Sequence, residues 1–208
     1  MKTTLTKQRI FATTKELFFT YGYSKVTMDE ITHKLGISKK TIYQYYTSKR
    51  VILSDIVKNM QTKMSEDIEN LLQNPQIDFK EKLRQYLSII TFHISSISAR
   101  FASDLQLHAP DIWREWQNHK TQAAKVHFVQ LLREGTESGY VKKDINIYVT
   151  VITFLAAIDQ LFDLEYQKSH PDDFIQNLPR LPLDKFNSVI KIIYEGILAD
   201  ETKPEFIQ

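Results

Sequence analysis

Residues 26–49 run V-T-M-D-E-I-T-H-K-L-G-I-S-K-K-T-I-Y-Q-Y-Y-T-S-K, and this stretch decides the fold. Its first half predicts a short helix capped by Thr27, with Glu30 as the capping-box partner three residues later. Gly36 falls where the chain must turn sharply, because glycine tolerates a positive φ. Ser38 caps a second helix that is rich in hydrogen-bond donors. The pattern predicts a helix-turn-helix, whose second helix either enters a DNA major groove or forms the solvated basic face of an ordinary helical hairpin.

The charged residues are distributed unevenly along the chain. Residues 1–50 hold ten Lys and Arg against three Asp and Glu, whereas residues 51–208 hold seventeen against twenty-two. A basic N-terminal segment on a mildly acidic remainder is typical of a protein that binds nucleic acid. The distribution therefore favours the DNA-binding alternative for the stretch at 26–49.

The composition of the chain limits the classes of protein to be considered. With 208 residues, 42% hydrophobic and 25% charged, it fits a soluble globular protein. The absence of cysteine excludes disulfides and thiolate metal sites and suits a reducing cytosol. The N-terminus lacks the apolar core of a signal peptide, and the longest nonpolar segment, residues 149–158, is about half of what a membrane span needs. We expect a cytoplasmic protein without membrane contact.

No coherent catalytic motif is present, since the sequence contains no G-x-S-x-G, P-loop or H-E-x-x-H pattern. We therefore expect a protein that is not an enzyme and needs no cofactor.

Apolar residues recur with helical spacing along most of the chain, and they predict an all-α fold of about nine helices without strands. The first three helices form a helix-turn-helix DNA-binding domain over residues 1–48. We expect residues 49–208 to form a helical bundle that also mediates dimerisation. Within this bundle Asp144 is expected to cap a helix that begins at residue 145, and a proline-containing loop precedes the last helix, which Asp184 is expected to open.

The last two long helices are apolar on more than one side, so they must be buried on more than one side. A two-fold dimer, in which these helices form a four-helix bundle between subunits, satisfies that requirement. A single large core within one chain is the alternative. The expected interface residues are Val151, Ile152, Phe154, Ile158, Phe186, Ile190, Ile193 and Ile197.

The whole chain resembles a TetR-family transcriptional regulator. The specific part of the resemblance lies in residues 10–50, where side chains match the family pattern at fixed spacing. The matching residues are Leu17, Phe18, Gly22, Tyr23, Thr27, Ile31, Gly36, Ile37, Ser38, Thr41, Ile42, Tyr43, Tyr45, Tyr46, Ser48 and Lys49. Thr14, Thr32 and Leu35 depart from it by standing where the family usually has alanine, and Lys40 replaces a usual small residue.

The resemblance implies which side chains contact DNA. Thr27, Tyr43 and Lys49 are expected at phosphates. The candidates for base edges or nearby backbone are Lys39, Lys40, Thr41, Gln44 and Tyr45, and Ser38 is a further expected DNA-binding residue. For each single residue, solvated surface is the alternative. Lys49 and Arg50 also fall in the first turn of a helix, where they are either surface charge or part of a phosphate site at a helix N-terminus.

The resemblance also implies a small-molecule pocket in each helical body, whose occupation changes the spacing of the two DNA-binding domains. The candidate lining residues are His93, Trp116, His119, His127, Asp159, Phe162 and Tyr166. Each is alternatively a core aromatic, a hydrogen-bonded core histidine or a carboxylate at a dimer interface. His119 and His127 lie eight residues apart, too far to chelate one ion from one helix, so no metal site is expected.

Taken together, the sequence predicts a homodimeric regulator that binds double-stranded DNA. The favoured form is a repressor that a small molecule releases from a palindromic operator. The alternatives are a ligand-responsive activator and a helical ligand-binding protein without specific DNA binding.

Overall fold

The computed structural model describes residues 2–95 and 99–197, and these residues form an all-α fold. The side chains of Phe162, Ile193 and Ile197, all at predicted sites, lie outside the described residues. The helices are α1 (Lys2–Tyr21), α2 (Met28–Leu35), α3 (Lys39–Tyr43), α4 (Lys49–Leu72), α5 (Phe79–Ser95), α6 (Ala99–His108), α7 (Pro110–Glu137), α8 (Ile147–Phe162), α9 (Leu164–Lys168), α10 (Asp172–Gln176) and α11 (Pro182–Ile197). None of the helices described is long and apolar enough to cross a membrane.

The first of two compact units comprises Met1–Lys63 and Ser96–Asn118. Its core takes fully buried side chains from α1, α2, α3 and α4, among them Phe18, Ile31 and Ile42. Phe101 of α6 and Trp116 of α7 complete this core. The unit thus unites the helix-turn-helix with a segment about 80 residues further along the chain. The predicted division of the chain at residues 48 and 49 stays a prediction.

The second compact unit comprises Met64–Ser95 and His119–Gln208. A row of aromatic rings runs through its core. Ring centroids lie 5.5 Å apart between Tyr86 and Phe128, 5.2 Å between Phe128 and Phe154, and 6.0 Å between Phe154 and Phe186. Contacts of this kind add to the stabilisation that apolar burial provides. They join α5, α7, α8 and α11 within the unit.

The local signals around the turn at residue 36 are confirmed. The Thr27 hydroxyl accepts the backbone N–H of Glu30, and the Glu30 carboxylate accepts the backbone N–H of Thr27, which completes the capping box. Gly36 ends α2 in the left-handed region at φ 65°. Ser38 caps α3 by accepting the backbone N–H of Thr41. Both helices are therefore bounded by groups from their own sequence.

The helix starts in the second unit differ from the predictions. Asn146, rather than Asp144, caps α8, because its amide oxygen accepts the backbone N–H groups of both Tyr148 and Val149. α11 begins at Pro182, since proline needs no hydrogen-bond partner in a first helical turn. Two short helices, α9 and α10, follow α8 before α11 begins. The described residues hold eleven helices instead of about nine.

Candidate nucleic-acid interface

The helix-turn-helix is anchored by one fully buried side chain from each of its helices. Ile31 of α2 and Ile42 of α3 have no exposed surface and pack in the core of the first unit. Because successive side chains on a helix point about 100° apart, anchoring one face directs the opposite face outward. The outward face of α3 is where a DNA-binding helix would present its side chains.

The predicted DNA-contact residues divide by exposure. Exposed members are Thr27, Ser38, Lys39, Lys40, Tyr43 and Gln44. Half-buried members are Thr41, Tyr45 and Lys49. Tyr43 has about half of its surface exposed, at 49%. No described residue forms an ion pair with Lys40. Lys40, Tyr43 and Gln44 are therefore the side chains most available for an external partner.

Several exposed members already have partners within the helix-turn-helix. The Lys39 ammonium lies 2.7 Å from a carboxylate oxygen of Asp29 on α2, and this hydrogen bond raises the pKa of Lys39. The hydroxyls of Ser38 and Thr41 lie 2.8 Å apart. The role of Asp29 was not predicted from the sequence. Its spacing of ten residues from Lys39, across a glycine turn, was the available signal.

The two cations in the first turn of α4 point to other parts of the first unit. The Lys49 ammonium donates to the backbone carbonyls of Tyr23 (2.9 Å), Ser24 (3.1 Å) and Val26 (2.9 Å). The same nitrogen lies 4.5 Å from the centroid of the Tyr23 ring. Arg50 pairs with Asp111 at the start of α7. The predicted phosphate contact of Lys49 stays a prediction, and three protein oxygens compete with it.

A second unpredicted contact holds the turn between α1 and α2. Asp104 of α6 accepts the backbone N–H of Ser24 at 2.5 Å and its hydroxyl at 2.8 Å. The two residues are 80 positions apart. No periodicity or local motif signals such a pair. Asp104 and Lys49 thus bind the same short turn. Asp104 accepts hydrogen bonds from donors of the turn, and Lys49 donates hydrogen bonds to its backbone carbonyls.

The predicted ligand-binding residues do not form one cluster. Trp116 lies in the core of the first unit. In the second unit, His93 lies 3.0 Å from a carboxylate oxygen of Asp67, and Asp159 lies 2.7 Å from the Lys120 ammonium. These two side chains therefore have protein partners.

Tyr166 is exposed, and its ring lies against the ring of His170 at a centroid distance of 4.4 Å. Its position on α9 is at the surface of the second unit and not in its core.

His119 and His127 remain as candidates with unused hydrogen-bonding capacity. The Nδ1 atom of each is buried without a hydrogen-bond partner among the described residues. The Nε2 atom of His127 lies 4.0 Å from the Glu69 carboxylate. Burial lowers the pKa of His127; nearby His119 lowers it further, and Glu69 opposes the shift. Buried unpaired imidazole nitrogens are costly, so a hydrogen-bonding ligand would be favoured there.

An open groove of about 630 Å³ runs along α7 in the second unit. Its lining residues are Lys125, Val126, Val129, Gln130, Arg133, Glu134, Glu137 and Tyr148. None of the predicted ligand-binding residues lines this groove.

The expected dimer-interface residues also divide into two groups. Val151, Phe154, Ile158 and Phe186 lie in the core of their own unit, where α8 and α11 pack against each other with these side chains inward. Their interface role stays a prediction. Ile190 is partly buried against the same core. Ile152 is different, since 60% of its surface is exposed.

The exposed apolar surface of α8 and α11 contains further residues that the prediction omitted. Val149 is 59% exposed and Ile192 is 71% exposed. Ala156 of α8 is exposed on the same helical line, and a side chain added at Gly196 of α11 would meet nothing within 4 Å. Both helices therefore pair an inward apolar face with an outward one. This pattern agrees with the sequence observation that they are apolar on two sides.

Comparison with known proteins identifies the helix-turn-helix. Residues 10–56 match the family described as bacterial regulatory proteins, tetR family. The chain is 26% identical over 195 residues to an uncharacterized HTH-type transcriptional regulator, YvaF, of Bacillus subtilis, covering 93% of this chain and 96% of that protein.

Solved structures share the fold over nearly the whole chain. One is a transcriptional regulator from Saccharomonospora viridis in complex with choline, at 18% identity and a TM-score of 0.68, covering 94% of this chain and 99% of that one. Another is SmeT, the repressor of the Stenotrophomonas maltophilia multidrug efflux pump SmeDEF, at 13% identity and a TM-score of 0.65, covering 97% and 95%. The fold of both units is thus that of known regulators.

Proposed function

We propose, since this chain belongs to the TetR family of helix-turn-helix transcriptional regulators, that it acts in the cytoplasm as a homodimeric repressor. A small molecule bound in the second unit releases it from a palindromic operator. The observation that carries the proposal is the outward apolar face of α8 and α11, which gives a second copy a surface to bury. SmeT, which shares the fold, is itself described as a repressor.

The proposed dimer interface is centred on Val149, Ile152 and Ile192. Exposed branched side chains at helical spacing lose unfavourable contact with water when a second copy covers them. The small residues Ala156 and Gly196 allow helices to approach closely. A two-fold axis brings the same face of both chains together, so four helices meet.

The proposed DNA-binding surface is the outward face of α3 with the N-terminus of α2. Lys40 and Gln44 suit base edges, because lysine donates to guanine and glutamine pairs with adenine in the major groove. Tyr43 and Thr27 suit phosphate oxygens, since their hydroxyls donate hydrogen bonds. Dimerisation places two such surfaces at one operator.

The proposed ligand site includes His119 and His127. No described residue bonds to the Nδ1 atoms of these histidines, and a ligand that offers hydrogen-bonding groups to them would stabilise the conformation that accommodates it. Release from DNA then follows only to the extent that the ligand binds this conformation more tightly than the DNA-bound one.

The experiment that tests DNA binding is selection from a pool of random duplexes with the full-length protein. We expect enrichment of an inverted repeat, because a two-fold dimer binds two equivalent half-sites. Enrichment of a single unrepeated site, or no enrichment, would contradict the proposal.

The interface is tested by Ile152→Glu and Ile192→Glu in sedimentation equilibrium. We expect monomers, because burying an unpaired carboxylate costs several kcal/mol. Phe174→Glu is the matched control, since Phe174 is also exposed in the second unit, at 53%, but lies on α10. Dimers that persist in both variants would place the interface elsewhere.

A further inference from the structure

The segment that joins α8 to α11 carries exposed apolar side chains. We call residues 163–181, which contain α9 and α10, the arm. The ring of His170 lies between those of Tyr166 and Phe174, at centroid distances of 4.4 and 5.2 Å. Phe174 is 53% exposed and Leu181 is 63% exposed, and no residue of α10 is buried. α10 therefore presents apolar surface without contributing to the core of its own chain.

The arm is also acidic. Its charged residues are Asp163, Glu165, Asp172 and Asp173 against Lys168 and Arg180. Asp172 and Asp173 are exposed in the first turn of α10. Within the part of the chain that the structure describes, neither carboxylate has an ion-pair partner. An exposed aromatic ring beside two uncompensated carboxylates is complementary to a surface that is both apolar and basic.

The groove along α7 has such a surface. Its exposed apolar side chains are Val126, at 62%, and Tyr148, at 56%. Lys125 is exposed and has no ion-pair partner among the described residues. Arg133 donates to the hydroxyl of Tyr148, and its guanidinium lies 5.7 Å from the centroid of that ring. The groove thus offers two cations next to exposed apolar side chains.

The two carboxylates of the groove leave its basic part uncompensated. The Glu134 carboxylate lies 2.9 Å from the ammonium of Lys82, which neutralises its charge. Glu137 lies at the C-terminal end of α7, twelve positions beyond Lys125 and about 18 Å away along the helix axis. The end of the groove around Lys125 is therefore basic, as an acidic occupant requires.

The proposed dimer brings the arm of one chain to this groove in the other. Four exposed residues, spaced four positions apart, form one line along α8: Tyr148, Ile152, Ala156 and Gln160. The centre of this line lies at residue 154. A two-fold axis perpendicular to α8 at this point makes the two copies of α8 antiparallel and places the partner's Gln160 beside Tyr148. The arm begins three residues after Gln160, and Tyr148 lines the groove.

We propose that the arm of each subunit docks in the α7 groove of the other, with Phe174 against Val126 and Asp173 near Lys125. This inference rests on the homodimer proposed above. The outward faces of α8 and α11 hold that dimer, and the arm adds to it. Phe174→Glu, which removes only the apolar contact of the arm, therefore still sediments as a dimer.

The docked arm connects the two proposed ligand sites of the dimer. His119 and His127 also lie on α7, so each arm contacts the helix that carries the ligand site of the other subunit. A ligand that shifts α7 in one subunit changes the seat of the arm from the other. The two subunits then respond to the ligand together.

Cross-linking tests the docking, and the chain contains no cysteine that would interfere. One chain carries Phe174→Cys, and a second chain with a different affinity tag carries Val126→Cys. The two proteins are mixed until their subunits exchange and are then treated with a short bismaleimide. We expect a covalent dimer that contains both tags. Because the two cysteines are in different chains, this product can only join two subunits.

A matched control replaces Val126→Cys by Glu66→Cys. Glu66 is also exposed in the second unit, but it lies on α4 and does not line the groove. We expect about tenfold less product with both tags, because only adjacent sites have a high effective concentration. Equal yields from the two pairs would show that the arm is not held in the groove.

Ile152→Cys separates the failure of the arm from the failure of the dimer. Ile152 lies on the proposed two-fold face, so this variant should cross-link to its own copy. A product from Ile152→Cys, without one from Phe174→Cys and Val126→Cys, would overturn the docked arm and leave the dimer standing. No product from either experiment would remove the dimer and the docked arm together.

A charge exchange tests the ionic contact between arm and groove. Lys125→Glu and Asp173→Lys should each speed subunit exchange about threefold, since each brings like charges together. The double variant should return to the wild-type rate, because opposite charges face each other again. Resonance energy transfer between differently labelled subunits measures the rate. Lys58→Glu, at an exposed lysine of α4, is the control and should leave the rate unchanged. A double variant that exchanges as fast as the single variants would contradict the contact.

Discussion

At the scale of the residue, two glycines with positive φ differ in their surroundings. Gly36 has φ 65°, and an added Cβ would meet nothing within 4 Å. Gly22 has φ 92°, and an added Cβ would lie 2.8 Å from Oδ2 of Asp104. Position 36 thus requires glycine only because of its positive φ. Position 22 requires glycine both because of its positive φ and because Asp104 lies too close for a Cβ.

Alanine substitution at these glycines is expected to give unequal losses of stability. Gly36→Ala should cost about 1–2 kcal/mol, because a Cβ disfavours the left-handed region. Gly22→Ala should cost about 1 kcal/mol more, because Asp104 must move away from Ser24. Urea unfolding of both variants measures the difference. Equal losses would mean that Asp104 adapts without breaking its hydrogen bonds.

His127 is expected to make stability depend on pH. Its pKa in the folded state is lowered by burial, so below its ordinary pKa of about 6.5 the unfolded chain binds more protons than the folded one. Its contribution to stability is therefore complete above about pH 6.5 and decreases as the pH falls towards the folded pKa.

Thermal unfolding between pH 7.5 and 5 checks this contribution. His127→Gln should lose less stability on acidification than the wild type. An identical pH profile for His127→Gln and the wild type would contradict the assignment.

Whether the role of a single residue could be predicted from the sequence depended on how many positions separate it from its partner. Thr27, Gly36 and Ser38 were predicted because their roles depend on neighbours within a few positions. The partners of Lys49 and Asp159 were not, because Tyr23 is 26 residues away and Lys120 is 39 residues away. The exposure of Lys40 and the burial of Phe154 likewise depend on how the helices pack against each other. That packing could not be predicted from the sequence.

At the scale of the element, an ion pair between the buried Lys82 and the partly exposed Glu134 joins α5 to α7. Lys82 has only 7% of its surface exposed, and its ammonium lies 2.9 Å from both carboxylate oxygens of Glu134. Removing one partner leaves a buried charge, which is more costly than removing both.

Glu134→Ala is therefore expected to destabilise the second unit by about 2–4 kcal/mol, and the double variant with Lys82→Met should recover most of that loss. Denaturant unfolding measures both. Glu137→Ala is the control, since Glu137 lies exposed on the same helix and should change stability by less than about 0.5 kcal/mol. A double variant no more stable than Glu134→Ala would show that the pair contributes beyond charge compensation.

Long helices were easier to predict than short ones. α4, α5 and α7 show apolar periodicity over many turns, and their positions followed from it. α9 and α10 have five residues each, too few for a periodic signal. The two-sided character of α8 and α11 was visible in the sequence, but which side faces the core was not, because both sides are apolar.

At the scale of the whole molecule, the proposed dimer fixes the separation of two DNA-binding surfaces. Half-sites in B-DNA present the same face only when their centres are spaced by whole helical turns of about 10–10.5 base pairs. The selected operator should therefore tolerate changes in base composition between the half-sites better than changes in their spacing.

Inserting five base pairs at the centre of the selected operator should reduce affinity by at least about 10³-fold, towards non-specific binding. The insertion turns one half-site to the opposite side of the duplex. Fluorescence anisotropy with an operator of unchanged length and altered central sequence provides the control. Unchanged affinity after insertion would imply that the two DNA-binding domains move independently.

The charge distribution was visible in the sequence, but membership of the compact units was not. Residues 96–118 join residues 1–63 through contacts such as that of Asp104 with Ser24. No linear pattern connects these segments, so the predicted division of the chain followed the helix-turn-helix alone.

The carbonyls around Lys49 affect how the evolution of such chains should be interpreted. After gene duplication, a copy that stops binding DNA is released from selection on Lys40, Tyr43 and Gln44, whose side chains are exposed. Lys49 stays under selection in that copy, because its loss would leave three backbone carbonyls of the turn between α1 and α2 without this partner. A lysine retained at position 49 therefore indicates that the fold is intact. Substitutions at the exposed positions indicate instead that DNA binding has been lost.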